Sequence, residues 1–212
     1  MEMNNKPLPY QRPLKHNRGF SLPEIIISLA IATLTIFVIA EFMIETNRFQ
    51  QFISDQSQAI AQADSASQIM TKALRETTDG ADGRYAILTA AANSLSFYSD
   101  IDDDDLTEQV TYTISGTTLQ QTIIEPTGTP ADYLPEDAVT KTIAFGVVNV
   151  TYTNNAVFTY YDDNNVELTY PITLANVMLI KIHLDINANV DRIPDTHTIE
   201  TYAQLRNLND NL

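Results

Sequence analysis

The sequence predicts an α+β fold, with one long N-terminal α-helix packed on an antiparallel β-sheet domain; the first half of the helix reads as transmembrane and the second as amphipathic. Three observations carry this prediction. No glycine or proline interrupts residues 24–79, apolar residues recur there at three- to four-residue steps, and from Arg84 onward the apolar period becomes two.

The helix begins with an apolar run. Between Phe20 and Ala40 lie 21 residues whose only ionisable side chain is Glu24. About 20 apolar residues suffice to cross a bilayer core, so the segment is long enough to span. An acid in such a helix costs on the order of 2.5–3.5 kcal/mol at the bilayer centre and less near an end, so Glu24 requires a partner or a task. Lys6, Arg12, Lys15 and Arg18 precede the run. By the positive-inside rule they place the amino terminus in the cytoplasm and the remainder outside.

Beyond the run the pattern turns amphipathic through Phe42, Phe49, Phe52, Ile53, Gln56, Ala59, Ile60, Ala63, Ala66, Ile69, Met70, Ala73 and Leu74. One helix over Leu22 to Thr78 would be roughly 85 Å long at 1.5 Å per residue, and its outer half needs a sheet to cover the apolar stripe. Asp79-Gly80-Ala81-Asp82-Gly83 then supplies breaker and turn chemistry. Predicted strands are Tyr85 to Thr89, Ser94 to Tyr98, Gln109 to Ile114, Thr118 to Ile124, Thr142 to Tyr152, Val157 to Tyr161, Val177 to Ile186 and Thr198 to Leu205. Ser115-Gly116-Thr117 reads as a tight hairpin, and 125–139, with three prolines and Gly128, as a long loop.

Composition narrows the function classes. The formal charge is −15, and removal of residues 1–19 leaves 8 basic and 26 acidic residues, or −18. Such a body lacks the basic footprint of a nucleic-acid binder. With no cysteine, disulfides, thiol catalysis and cysteine-ligated metals are excluded. His16, His183 and His197 show no metal-ligand spacing, and no G-x-S-x-G, P-loop, H-E-x-x-H or G-x-G-x-x-G is present, so no enzyme is expected.

One acidic run suggests ligand chemistry. Asp100-Ile101-Asp102-Asp103-Asp104-Asp105 with Glu108 has the D-x-D-x-D spacing that offers alternate carboxylates to a hard cation. It lacks the glycine of an EF-hand loop, and its Glu comes too early. Asp100, Asp102, Asp104 and Glu108 are the predicted ligands if calcium binds; the alternative is a solvated acidic turn that keeps a sheet edge from associating. Asp162-Asp163-Asn164-Asn165 is a weaker version and reads as a plain turn.

The string RGFSLPEIIISLAIATLTIFVIAEF resembles the N-terminal cleavage and methylation signal of type IV pilins and type II secretion pseudopilins. It has a basic leader ending in glycine, then phenylalanine, an apolar stretch, and Glu five residues into the mature chain. The resemblance implies a pilin-like fold with a prepilin leader over 1–19, a transmembrane and assembly helix over 20–41, its amphipathic continuation over 42–79 and a β-rich domain over 80–212. It implies cleavage between Gly19 and Phe20 by a prepilin peptidase, N-methylation of Phe20, and pairing of Glu24 with the terminal amine of a neighbouring subunit. The implied partners are other pilin or pseudopilin subunits, the peptidase, an inner-membrane assembly platform, and membrane lipid before assembly. The implied location is the cytoplasmic membrane, with one pass, then an extracytoplasmic filament.

A fainter resemblance runs through LSFYSDIDDDDLTEQVTYTISGTTLQQ, VFTYYDDNN, NVMLIKIHLDIN and IETYAQLRNLN, which are similar to elements of J-type or PilW-like minor pilins. The absence of a cysteine pair separates the chain from pilins with a disulfide-closed carboxy-terminal loop.

Other readings fit part of the same residues. Ser21-Leu22-Pro23-Glu24 is also a capping box, with Pro23 tolerated in the first turn. Val38-Ile39-Ala40 before Glu41 could end a secretory signal, although the apolar run exceeds the usual 7–15 residues. A bitopic membrane protein with an acidic, calcium-binding outer domain that does not polymerise would keep the helix and leave the Gly19-Phe20 junction unused.

Overall fold

A computed structural model describes residues 19–102, 104–188 and 196–205. The basic leader up to Arg18, Asp103 and the end of the IETYAQLRNLN string lie outside the described residues. The fold is α+β: among the described residues, helix α1 (Leu22–Arg75) is followed by eight antiparallel strands, β1 (Ile87–Ala90), β2 (Ser94–Ser99), β3 (Glu108–Ser115), β4 (Thr118–Ile124), β5 (Val139–Phe145), β6 (Phe158–Tyr161), β7 (Leu179–Ile186) and β8 (His197–Gln204). The chain divides into two compact units, Met1–Arg48 and Phe49–Leu212, and the division falls inside α1.

In the first unit every residue from Gly19 to Glu45 is exposed, and the helix is long and apolar enough to cross a membrane. Its hydroxyls fold back on the helix: Thr33 donates to the Leu29 carbonyl at 2.7 Å and Thr35 to that of Ile31 at 2.8 Å. These local bonds let two polar residues sit in an apolar helix with their donors satisfied.

In the second unit α1 buries Ala59, Ala63, Ala66, Met70, Ala73 and Leu74, a stripe at steps of three and four. Most of these side chains are methyl-sized, so the helix backbone lies close to the sheets. The same core holds Leu95, Phe97, Val110, Tyr112 and Leu119 of β2 to β4 and Ile180, Ile182, Leu184 and Ile186 of β7. The amino-terminal part of the predicted stripe differs, since Phe49 and Ile53 are exposed: the sheets cover only its last turns.

The strands form two sheets rather than one. One is a five-stranded meander in the order β1-β2-β3-β4-β5, and the other a three-stranded sheet in the order β6-β7-β8. The β3–β4 hairpin turns at Gly116, whose φ of 61° suits the first position of a two-residue hairpin turn, and Ser115 pairs with Thr118 across it.

Two predicted boundaries are corrected. The helix ends at Arg75 rather than Thr78 because Thr77 forms an isolated bridge to Ser99, and the Ser99 hydroxyl donates to the Ala73 carbonyl at 2.9 Å, adding to the Glu76 N–H that the same carbonyl accepts at 3.2 Å. The strand expected over Thr142 to Tyr152 lies earlier, in β5, and is followed by a π-helical turn at Asn149–Thr153. Gly146 leaves the strand at φ 70°, a conformation that costs other L-residues energy.

Candidate functional site

Two regions carry the residues that the sequence singled out. The first is the head of α1. Ser21 is the cap: its carbonyl accepts the Ile25 N–H at 3.2 Å, and its own N–H donates to Glu24 Oε2 at 3.4 Å. This is half of a capping box, and that long contact is the one hydrogen bond the Glu24 carboxylate makes among the described residues. The carboxylate also lies in the first turn, where the helix dipole favours negative charge. Phe20 is 76% exposed, and a Cβ built on Gly19 would meet nothing within 4 Å. Among the described residues, no neighbour requires position 19 to lack a side chain.

The second region is the β2–β3 turn. Ser99 and Glu108 are the last residues paired between these strands, so the acidic run forms the loop between them. One carboxylate oxygen from each of Asp100, Asp102, Asp104 and Glu108 lies within 4.8 Å of the others. Three of these residues are exposed or half-buried, and Glu108 is 0% exposed. Its Oε2 accepts the Ile101 N–H at 2.8 Å, while Oε1 is buried without a partner. The Asp105 N–H donates to Asp100 Oδ2 at 3.3 Å and the Leu106 N–H to Asp104 Oδ1 at 2.9 Å. Burial pushes the Glu108 carboxyl up to about 7; Glu125 and Asp102 push the same way, and the Ile101 amide offsets part of it. Glu125 is also raised, first by burial and then by Asp102 and Asp104.

A third cluster escaped the sequence reading. Asp185 on β7 is buried and accepts four side chains. The Thr153 hydroxyl and Asn155 amide reach Oδ2 at 2.6 and 2.8 Å, and the Thr198 hydroxyl and His183 Nε2 reach Oδ1 at 2.7 and 3.1 Å. His183 Nδ1 lies 2.8 Å from Glu200 Oε1, and Lys181 Nζ lies 2.6 Å from the same oxygen. The β7–β8 register creates this cluster by setting His183 opposite Glu200 and Asp185 opposite Thr198. The pattern His183-Leu184-Asp185 was visible as two polar residues on one strand face, but their partners were not. Its bonds from Thr153 and Asn155 hold the sheet to the π-helical turn.

No family model and no curated protein matches the chain. Among solved structures, it is similar to a chain in the crystal structure of the GspK-GspI-GspJ complex from the enterotoxigenic Escherichia coli type 2 secretion system. The identity is 13% and the TM-score 0.47, over 70% of this chain and 98% of that chain.

Proposed function

We propose that the chain is a minor subunit of a type IV pilus or type II secretion-type filament, a structural part rather than a catalyst. The observation that carries this is the junction at the head of α1. An exposed Gly19-Phe20 pair is followed, four residues after Phe20, by Glu24, whose carboxylate makes one weak contact among the described residues, at the start of an apolar helix that those residues leave uncovered.

The physical logic runs through burial. Before processing, the segment from Phe20 to Ala40 rests in lipid, with the basic leader on the cytoplasmic side. Cleavage after Gly19 by a prepilin peptidase creates an amine on Phe20, which is then methylated. The apolar helix leaves lipid for a bundle of equivalent helices supplied by other subunits at the inner-membrane assembly platform, exchanging one apolar surrounding for another. In that low-dielectric bundle Glu24 pairs with a neighbour's terminal amine, an interaction much stronger there than at a wet surface. Because an unpaired charge is costly in the same place, the pair also sets the axial register of the incoming subunit. The strongly acidic body stays soluble outside the membrane.

Amino-terminal sequencing and mass analysis of the protein isolated from its native membrane test this. The expected form begins at N-methylated Phe20. A mature protein beginning at Glu41 would show an ordinary secretory signal, and one retaining the leader would show a bitopic protein that does not polymerise.

A further inference from the structure

Surface acids often cluster without a ligand, and the aspartates of the β2–β3 turn would carry no argument alone. Glu108 changes this. It is the first residue of β3, held by its backbone pairing to Ser99, and it is fully buried. One carboxylate oxygen is satisfied by the Ile101 amide, and the other is enclosed without a donor. The acidic side chains that approach it, Asp100, Asp102, Asp104 and Glu125, are acceptors, and the Tyr133 hydroxyl nearby is spent on the Thr107 carbonyl. No ion pair reaches Asp102, Asp104 or Glu108 among the described residues. Clustered acceptors around a buried carboxyl are relieved by a positive centre, either a proton shared between the Glu108 and Glu125 carboxyls or a cation held by the whole set.

We propose that Asp100, Asp102, Asp104 and Glu108 form a single divalent-cation site of the calcium type, with Glu108 as its buried anchor. The donor set is all oxygen, which suits hard cations and excludes the sulfur- and imidazole-preferring metals. The number of carboxylates then favours calcium, since magnesium keeps several waters and takes one or two carboxylates. The four carboxylate oxygens lie within 4.8 Å of one another, close enough for one ion with calcium–oxygen bonds of about 2.3–2.6 Å to reach them all. The anchor is rigid because it belongs to a paired strand, and the other three ligands ride on a loop that turns back at Asp105, where φ is 67°. Waters complete the coordination. The bound ion draws the exposed aspartates onto the strand end and orders the turn beyond the last paired residues, Ser99 and Glu108. The site stands on residues remote from the head of α1, so it does not depend on the filament reading.

The test uses the full chain in detergent micelles, stripped with chelator and titrated with calcium chloride by calorimetry, with circular dichroism to verify folding. One saturable calcium per chain is expected, with a Kd on the order of 10⁻⁴–10⁻³ M, the range of extracellular calcium modules, and a rise in Tm on saturation. Glu108→Gln is expected to weaken binding at least roughly tenfold. Should that buried variant fail to fold, the exposed pair Asp102→Asn with Asp104→Asn serves instead, with the same loss expected. Asp162→Asn, in the other acidic turn, should bind as the unmodified chain does. The proposal is overturned by an absence of saturable binding, by magnesium binding as tightly as calcium, or by unchanged affinity in the Asp102→Asn, Asp104→Asn chain.

Discussion

The side chain of Asn149 stands in for a strand against Asp185. Its Oδ1 accepts the Asp185 N–H at 2.8 Å, and its Nδ2 donates to the His183 carbonyl at 2.9 Å. A single amide thus fills one gap on the edge of β7, between the backbone bonds from the His183 N–H to the Val157 carbonyl and from the Val148 N–H to the Asp185 carbonyl, both 2.8 Å. The chain is released to make the π-helical turn, which carries Thr153, with Asn155 just beyond it, onto the Asp185 carboxylate.

That arrangement predicts a pH dependence. Burial alone would raise the Asp185 carboxyl, but hydrogen bonds from Thr153, Asn155 and Thr198, together with the nearby His183, hold it below its ordinary value. A group depressed in the folded state stabilises the protein above its unfolded pKa of about 3.9 and loses that contribution as pH falls through the folded value. Lys181, His183 and Glu200 line the same face. Asp185→Asn should lower stability at pH 7 by about 1–3 kcal/mol and flatten the stability curve below about pH 4, as read by urea unfolding at a series of pH values. An unchanged acid limb would remove Asp185 from the account.

Two positions on the helix stripe should respond oppositely. Met70 is 0% exposed in the core beneath the sheets, and Met70→Ala should cost about 2–5 kcal/mol. Ile53 is 48% exposed, so Ile53→Ser should fall within about 0.5 kcal/mol of the unmodified chain. Chemical denaturation of both variants in detergent measures the contrast.

Gly146 combines two constraints. Its φ is +70°, and an added Cβ would lie 3.2 Å from the Ala188 Cα and the Asn187 carbonyl oxygen. Gly146→Ala should therefore destabilise by about 1–2 kcal/mol from the left-handed backbone alone, with a further cost for displacing the chain at Ala188. A thermal unfolding midpoint equal to that of the unmodified protein would contradict this.

On the filament reading, Glu24→Leu leaves membrane insertion intact, since it makes the helix more apolar. Incorporation should fall, because removing one member of a buried charge pair costs about 3–5 kcal/mol, roughly a hundredfold or more in occupancy. Affinity capture of a tagged neighbouring subunit reads this out, and normal co-capture would end the pairing role.

Gly19→Val should leave precursor in the membrane, visible on a gel as a band heavier by the leader, with no loss of folding. No described atom lies within 4 Å of a Cβ at Gly19, so a processing defect would reflect the peptidase's requirement rather than strain in the chain. Normal maturation of this variant would sink the cleavage assignment.

What could be read from the sequence was what depends on near neighbours in the chain. The α+β order, the start of α1 at Leu22, the β3–β4 hairpin at Gly116 and the D-x-D-x-D spacing of Asp100, Asp102 and Asp104 all follow from periodicity and turn chemistry over a few residues. Tertiary structure decided what depends on partners far along the chain. The apolar pattern through Val147 and Val148 suited a continuing strand, yet Gly146 and the distant His183 and Asp185 ended it. The β7–β8 register assembled the Asp185 cluster, and the pairing of Ser99 with Glu108 buried one acid of the turn while leaving Asp102 and Asp104 exposed. Periodicity specifies which face of an element is apolar. Register and burial arise only when separate elements meet, and they decide which polar groups on those faces are brought together and cut off from water.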